Sequence, residues 1–224
     1  MLRRVPVSDN APRSLPIIAF DLDGTLVDSV GDLAHALNLA LEDCGIRAHT
    51  ADDVRSFVGE GARRLVENAL RAHQHTLEDV DRVLDRFRQH YRQDLLSHTR
   101  RYPGVLEMLQ ALRGRARFAV ATNKPGVNAR PIVEALFPGM FDLVLGPDDT
   151  GALKPDPRIL VQIGSDLRGQ VVAFVGDTVI DMQTARNAGT VAIGVLWGFR
   201  PDELLGEHTV ASADELSRAL ERLL

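Results

Sequence analysis

Five short apolar runs, residues 17–22, 118–122, 143–146, 171–175 and 191–196, limit this chain to very few folds. Each is rich in β-branched or aromatic residues and has the length of a strand buried on both faces. Residues 104–113, 126–136, 156–164 and 179–188 carry apolar side chains at three- and four-residue spacing, the pattern of amphipathic helices. A last helix is expected from Ser212 or Ala213 to Leu223. Strand alternating with helix predicts an α/β fold: a Rossmann-like, parallel, five-stranded sheet with helices on both faces.

Residues 30–99 break that rhythm, because they hold no convincing strand. Val30, Leu33, Ala34, Leu37 and Leu41 mark one amphipathic helix, ending near Cys44-Gly45, where glycine suits a C-terminal cap. Leu65, Val66, Ala69 and Leu70 mark a second, and Val80, Val83, Leu84 and Phe87 a third. The division expected is a disordered leader (1–16), a core made of 17–29 and 100–224, and a helical cap (30–99) serving as a lid.

The chemistry gathers where the apolar runs end. Ile17-Ile18-Ala19-Phe20 leads into Asp21 and Asp23, whose side chains project to the same side because strand side chains alternate. Like charges so close repel unless a cation lies between them. A hard divalent cation engaging a phosphate accounts for the pair. A plain turn at Asp23-Gly24 explains neither Asp21 nor the polar groups that close the later runs. Those runs end in Thr122-Asn123-Lys124 and in Gly176-Asp177-Thr178 with Asp181 behind it. Lys154 comes after the run at 143–146. In open parallel sheets ligands bind at the carboxyl ends of the strands, so all these groups share one predicted edge. Lysine usage points the same way: of 26 basic residues only Lys124 and Lys154 are lysines. A compact ammonium is not replaced by a planar guanidinium where a point charge is needed.

In this order, Asp-Leu-Asp-Gly-Thr-Leu-Val-Asp-Ser, Ala-Thr-Asn-Lys, Leu-Lys-Pro and Gly-Asp-Thr-Val-Ile-Asp resemble the four motifs of the haloacid dehalogenase superfamily, over residues 17–224. Val58-Gly59-Glu60-Gly61, Thr122-Asn123-Lys124-Pro125 and Trp197-Gly198-Phe199 are similar to its phosphoglycolate phosphatase branch. One departure is that many relatives in that branch carry a basic residue near Asn68, where this chain does not. The resemblance implies a phosphatase acting on a small phosphorylated metabolite, foremost 2-phosphoglycolate. Asp21 would be the nucleophile and Asp23 the acid–base. Mg²⁺ would be held by Asp21, the Asp23 backbone carbonyl and Asp177. Thr122, Asn123 and Lys154 would bind phosphate, with Asp181 orienting Lys154 or a metal-bound water. Lys124 is expected to fix its loop or to contact the phosphate region. Substrate choice would fall to the cap at Gly59, Glu60, Gly61, Arg63 and Arg64, where a flexible turn opens a helix whose free N–H groups favour an anion.

Rival chemistries are narrowed by the same residues. Dehalogenases lack the acid–base carboxylate that Asp23 supplies. Phosphonatases use a cap lysine, and residues 30–100 contain none. A sugar phosphate or pyrophosphate phosphatase and a phosphomutase remain alternatives. A receiver-type phospho-accepting domain would be about half as long, with its aspartate on a middle strand. The net charge of −5 argues against general nucleic-acid or acidic-membrane binding. No apolar run approaches the roughly 20 residues of a membrane span. Cys44 is the only cysteine, which points to a reducing cytoplasm and excludes an intrachain disulfide. A monomer or homodimer is expected.

Overall fold

The computed structural model describes residues 15–224. The expected leader therefore lies, apart from Leu15 and Pro16, outside the described residues. Along the chain, β1 (Ile17–Phe20) and the short β2 (Val27–Asp28) precede four helices: α1 (Val30–Asp43), α2 (Ala51–Phe57), α3 (Ala62–Ala72) and α4 (Val80–Gln93). Next come β3 (Arg100–Arg101), α5 (Val105–Leu112), β4 (Arg117–Ala121), α6 (Gly126–Leu136), β5 (Leu143–Leu145) and α7 (Pro147–Thr150). The chain closes with α8 (Arg158–Asp166), β6 (Val171–Gly176), α9 (Val179–Asn187), β7 (Val191–Val195), β8 (Thr209–Val210) and α10 (Ala213–Glu221).

The main sheet has six strands in the order β5-β4-β1-β6-β7-β8, all parallel, rather than the five expected. The extra strand, β8, pairs at the edge through Gly194↔Thr209 and Val195↔Val210. Two residues are too few to show a period in sequence. Alternation divides β1 between two cores. Ile18 and Phe20 pack with Leu109, Ile132 and Leu216 from α5, α6 and α10. Ile17 and Ala19 pack with Ile159, Ile163 and Ala185 from α8 and α9. Both faces of the sheet are thus covered, which is why its strands read as continuous apolar runs.

The helices between β2 and β3 bury a third cluster of their own, including Leu37, Leu41, Val66, Leu70, Leu84 and Phe87. α2 has no counterpart in the apolar pattern, which offers only Val54 as a buried residue. Its start is nevertheless written locally: Thr50 and Asp53 form a reciprocal capping box. The chain leaves and re-enters the sheet domain through antiparallel β2 and β3, with Asp28 opposite Arg100. Just beyond this ribbon the buried Asp32 carboxylate ties α1 to the returning chain. It accepts from the backbone N–H of His98 (2.8 Å) and of Thr99 (2.8 Å), and from the Thr99 hydroxyl (2.6 Å).

Candidate active site

Strand register sets the floor of the site. Phe20 lies beside Val120 of β4 and Val175 of β6, so Asp21, Thr122 and Asp177 emerge together at the carboxyl edge of the sheet. This is where the strand order reverses about β1, the usual position of a ligand crevice in such sheets. Lys154 arrives from the loop beyond β5. Its Nζ lies 2.8 Å from Asp21 Oδ1 and 2.6 Å from Asp181 Oδ1. Burial works against the lysine charge, but Asp181 and Asp21 more than offset it and hold the ammonium above the ordinary lysine range.

Asp21 Oδ1 also accepts from the Leu22 N–H at 2.7 Å, while Oδ2 accepts none of the hydrogen bonds found among the described residues. Burial raises the Asp21 carboxyl to about 6, with Lys154 pulling it down and Asp181 pushing it up. Asp177, fully buried, is pushed well above the usual carboxylate range by burial and then by Asp181 and Asp21. Asp21, Asp177 and Asp181 can each offer an oxygen within 4.8 Å of the others. Three hard oxygen donors in one buried place suit a divalent cation. The backbone is shaped to these carboxylates: a Cβ on Gly24 would lie 2.1 Å from Asp177 Oδ2, and one on Gly198 would lie 2.2 Å from Asp177 Cβ. Asp181 has both oxygens engaged, Oδ1 by Lys154 and Oδ2 by the Thr178 N–H and hydroxyl at the start of α9. That arrangement fits an orienting group for Lys154.

Asp23 lies beside the same cavity as Asp21 and Thr122. Lys124, for which the sequence leaves loop fixing and a contact in the phosphate region both open, reaches Asp23 with Nζ 2.6 Å from Oδ1 and 2.8 Å from Oδ2. The Ser29 hydroxyl donates to Asp23 Oδ1 as well. Lys124 also sits 4.9 Å from the Tyr91 ring centroid, and the Tyr91 hydroxyl is buried without a hydrogen-bond partner. Asn123 is committed to backbone. Its side-chain oxygen accepts from the Lys154 N–H at 2.8 Å, and its amide nitrogen donates to Gly59 O at 3.2 Å. It joins the Lys154 loop to the cap, and it also lines the cavity.

The cap roofs this floor, enclosing a cavity of about 60 Å³, far below the size of drug-binding clefts. Gly59 and Gly61 line it, together with Ala62, Leu65 and Phe87. Glu60 turns away toward Arg64, 3.6 Å distant. Arg63 and Arg64 face away too: Arg63 pairs with Asp81 at 2.5 Å and Arg64 with Glu67 at 2.8 Å, on exposed surface. Ala62 and Leu65 occupy the cavity face of α3, and helical geometry turns the residues between them outward. Arg88 of α4 is the cap cation among the residues that line the cavity, although its side chain is half exposed and lies 3.6 Å from Asp85. Its signal was present in the sequence: it interrupts the apolar stripe of Leu84, Phe87 and Tyr91 with a charge.

Comparison with known proteins agrees with this architecture. A family model described as haloacid dehalogenase-like hydrolase matches residues 18–195. A phosphoglycolate phosphatase of Agrobacterium fabrum is 36% identical over 192 residues, 82% of each chain. One of Chromobacterium violaceum is 37% identical over 212 residues, covering 91% of this chain and 96% of that one. A crystal structure of a provisional phosphoglycolate phosphatase from Lactobacillus delbrueckii subsp. bulgaricus aligns with a TM-score of 0.83 at 32% identity, over 93% of this chain and 98% of that one.

Proposed function

The chain belongs to the haloacid dehalogenase-like hydrolases, and on that footing we propose that it is a Mg²⁺-dependent phosphatase whose preferred substrate is 2-phosphoglycolate. The observation that carries this reading is Asp21. It is a buried carboxylate with one oxygen held by Lys154, beside Asp177, on the floor of a small cavity that also contains Asp23.

In this reading Asp21 Oδ2 attacks phosphorus and forms an aspartyl-phosphate, while Lys154 and Thr122 hold the phosphoryl oxygens. Asp23, positioned by Lys124 and Ser29, gives a proton to the departing alkoxide. It later takes one from the water that hydrolyses the intermediate. A divalent cation bound by Asp21, Asp177 and the Asp23 backbone carbonyl supplies the charge neutralisation that lets an anion approach a phosphate. Asn123 holds the Lys154 backbone and Asp181 holds its ammonium.

The substrate's far end meets the cap. Arg88 is a cation at the edge of an otherwise largely apolar wall; in this reading it exchanges its exposed partner Asp85 for a substrate carboxylate. The curated relatives named phosphoglycolate phosphatase support the same substrate. A kcat/KM comparison across 2-phosphoglycolate, short phosphorylated sugars and pyrophosphate tests it. A clear preference for a substrate without a carboxylate would replace phosphoglycolate in this reading.

A further inference from the structure

Trp197-Gly198-Phe199-Arg200 leaves the end of β7 and touches both the metal-candidate carboxylate and the cap. The Phe199 N–H donates to Asp177 Oδ2 at 2.9 Å. The other Asp177 oxygen accepts from the Thr25 hydroxyl at 3.2 Å, and the Thr25 carbonyl in turn accepts from Trp197 Nε1 at 3.1 Å. Asp177 is therefore gripped on both oxygens by groups tied to this segment. Gly198 permits the wrap, because any side chain there would occupy the space of Asp177.

The same residues reach the other way. The Phe199 ring is buried within the apolar cluster of the cap, not in either core of the sheet domain. Arg55 of α2 lies over it, 5.6 Å from the ring centroid. Arg200 Nη2 donates to the Val58 carbonyl, next to the Gly59 carbonyl that Asn123 holds. Opening the cap would expose the phenyl ring to water and strip Arg200 Nη2 of the Val58 carbonyl, leaving only the Glu203 contact of Nη1, both unfavourable. A residue whose backbone holds Asp177 while its side chain is anchored in the cap links the two mechanically.

We infer that Trp197–Arg200 is a clasp that couples closure of the cap to the orientation of Asp177, with Phe199 and Arg200 as positioning residues. Its job is to present a correctly turned carboxylate to the divalent cation only when the cap is shut. This goes beyond the phosphatase reading, because it concerns coupling between two parts of the molecule and is independent of which phosphate ester is cleaved. Coupling of this kind is reciprocal, so the cation must also tighten the clasp.

Trp197 is the chain's only tryptophan, and its fluorescence reports directly on the segment. In the metal-free full-length protein, Phe199→Ala and Arg200→Ala should each make Trp197 more accessible to acrylamide quenching. Phe199→Leu, which keeps an apolar anchor, should restore most of the protection. By calorimetry, Mg²⁺ affinity should fall about fivefold or more in Phe199→Ala. The protection of Trp197 that Mg²⁺ produces in the wild type should shrink in parallel. Arg200→Ala leaves the apolar cluster intact and serves if Phe199→Ala does not fold. Unchanged quenching in folded variants would overturn the clasp, as would unchanged Mg²⁺ affinity alongside altered quenching. A wild type that binds no Mg²⁺ would instead overturn the metal-dependent mechanism, and the metal-free quenching would still decide whether the segment clamps the cap.

Discussion

Asp21 combines a nucleophile's free oxygen with a buried carboxyl raised to about 6. Replacing it with Asn should reduce turnover at least about a thousandfold while leaving the circular dichroism spectrum unchanged. The raised value has a thermodynamic consequence of definite sign. Folding favours the neutral acid, so this group's stabilising contribution is complete below the unfolded-chain value near 3.9 and is lost as pH rises through about 6. Metal-free wild type should therefore lose melting temperature relative to Asp21→Asn between about pH 4 and pH 6; parallel melting curves across that range would refute the raised carboxyl. Arg88 provides a second test. Arg88→Ala should raise KM for 2-phosphoglycolate about tenfold or more, the loss of one charge-assisted contact. Hydrolysis of a phosphate ester lacking a carboxylate should be little affected. At this scale the meeting of Asp21, Asp23, Asp177 and Lys154 at one edge of the sheet was legible, because each comes after an apolar run. The Lys124–Asp23 pair was not, since 101 residues separate its members and nothing local links them. Arg63 and Arg64 looked like ligands only because a sequence does not show which face of α3 meets the cavity.

Among the elements, the ribbon and linkers that carry the cap are the most exposed to a single change. Asp32 holds four donors of the returning chain, counting the His98 ring at 2.9 Å. Asp32→Asn keeps the shape but turns an amide donor toward some of them, and should cost on the order of 2 kcal/mol in urea unfolding. A cost near zero would show that the linker is held by packing alone. The start of α9 has the opposite economy: the Thr178–Asp181 capping box serves the helix while Asp181 also fixes Lys154. Helices with a clear apolar stripe were readable from spacing. α2 needed its capping box to be noticed, and β8 is too short for any periodic signal.

For the whole molecule, binding of a cation only to the folded state must stabilise it. Mg²⁺ at about 100 times its dissociation constant should add about 2.7 kcal/mol, seen as a rise in melting temperature that EDTA reverses. EDTA should also abolish phosphate release, and activity persisting without divalent metal would refute the mechanism. No helix among the described residues is long and apolar enough to cross a membrane. The sequence by itself determined the α/β class, the helical insert and the strand-end carboxylates and lysines, because alternating burial and helical spacing are local and leave a period in the chain. Only the tertiary structure decided that Lys124 binds Asp23, that Arg88 and not Arg63 is among the residues lining the cavity, and that Phe199 belongs to the cap. Those facts depend on how helices are rotated and which distant segments meet, and packing settles both through contacts that no local pattern encodes.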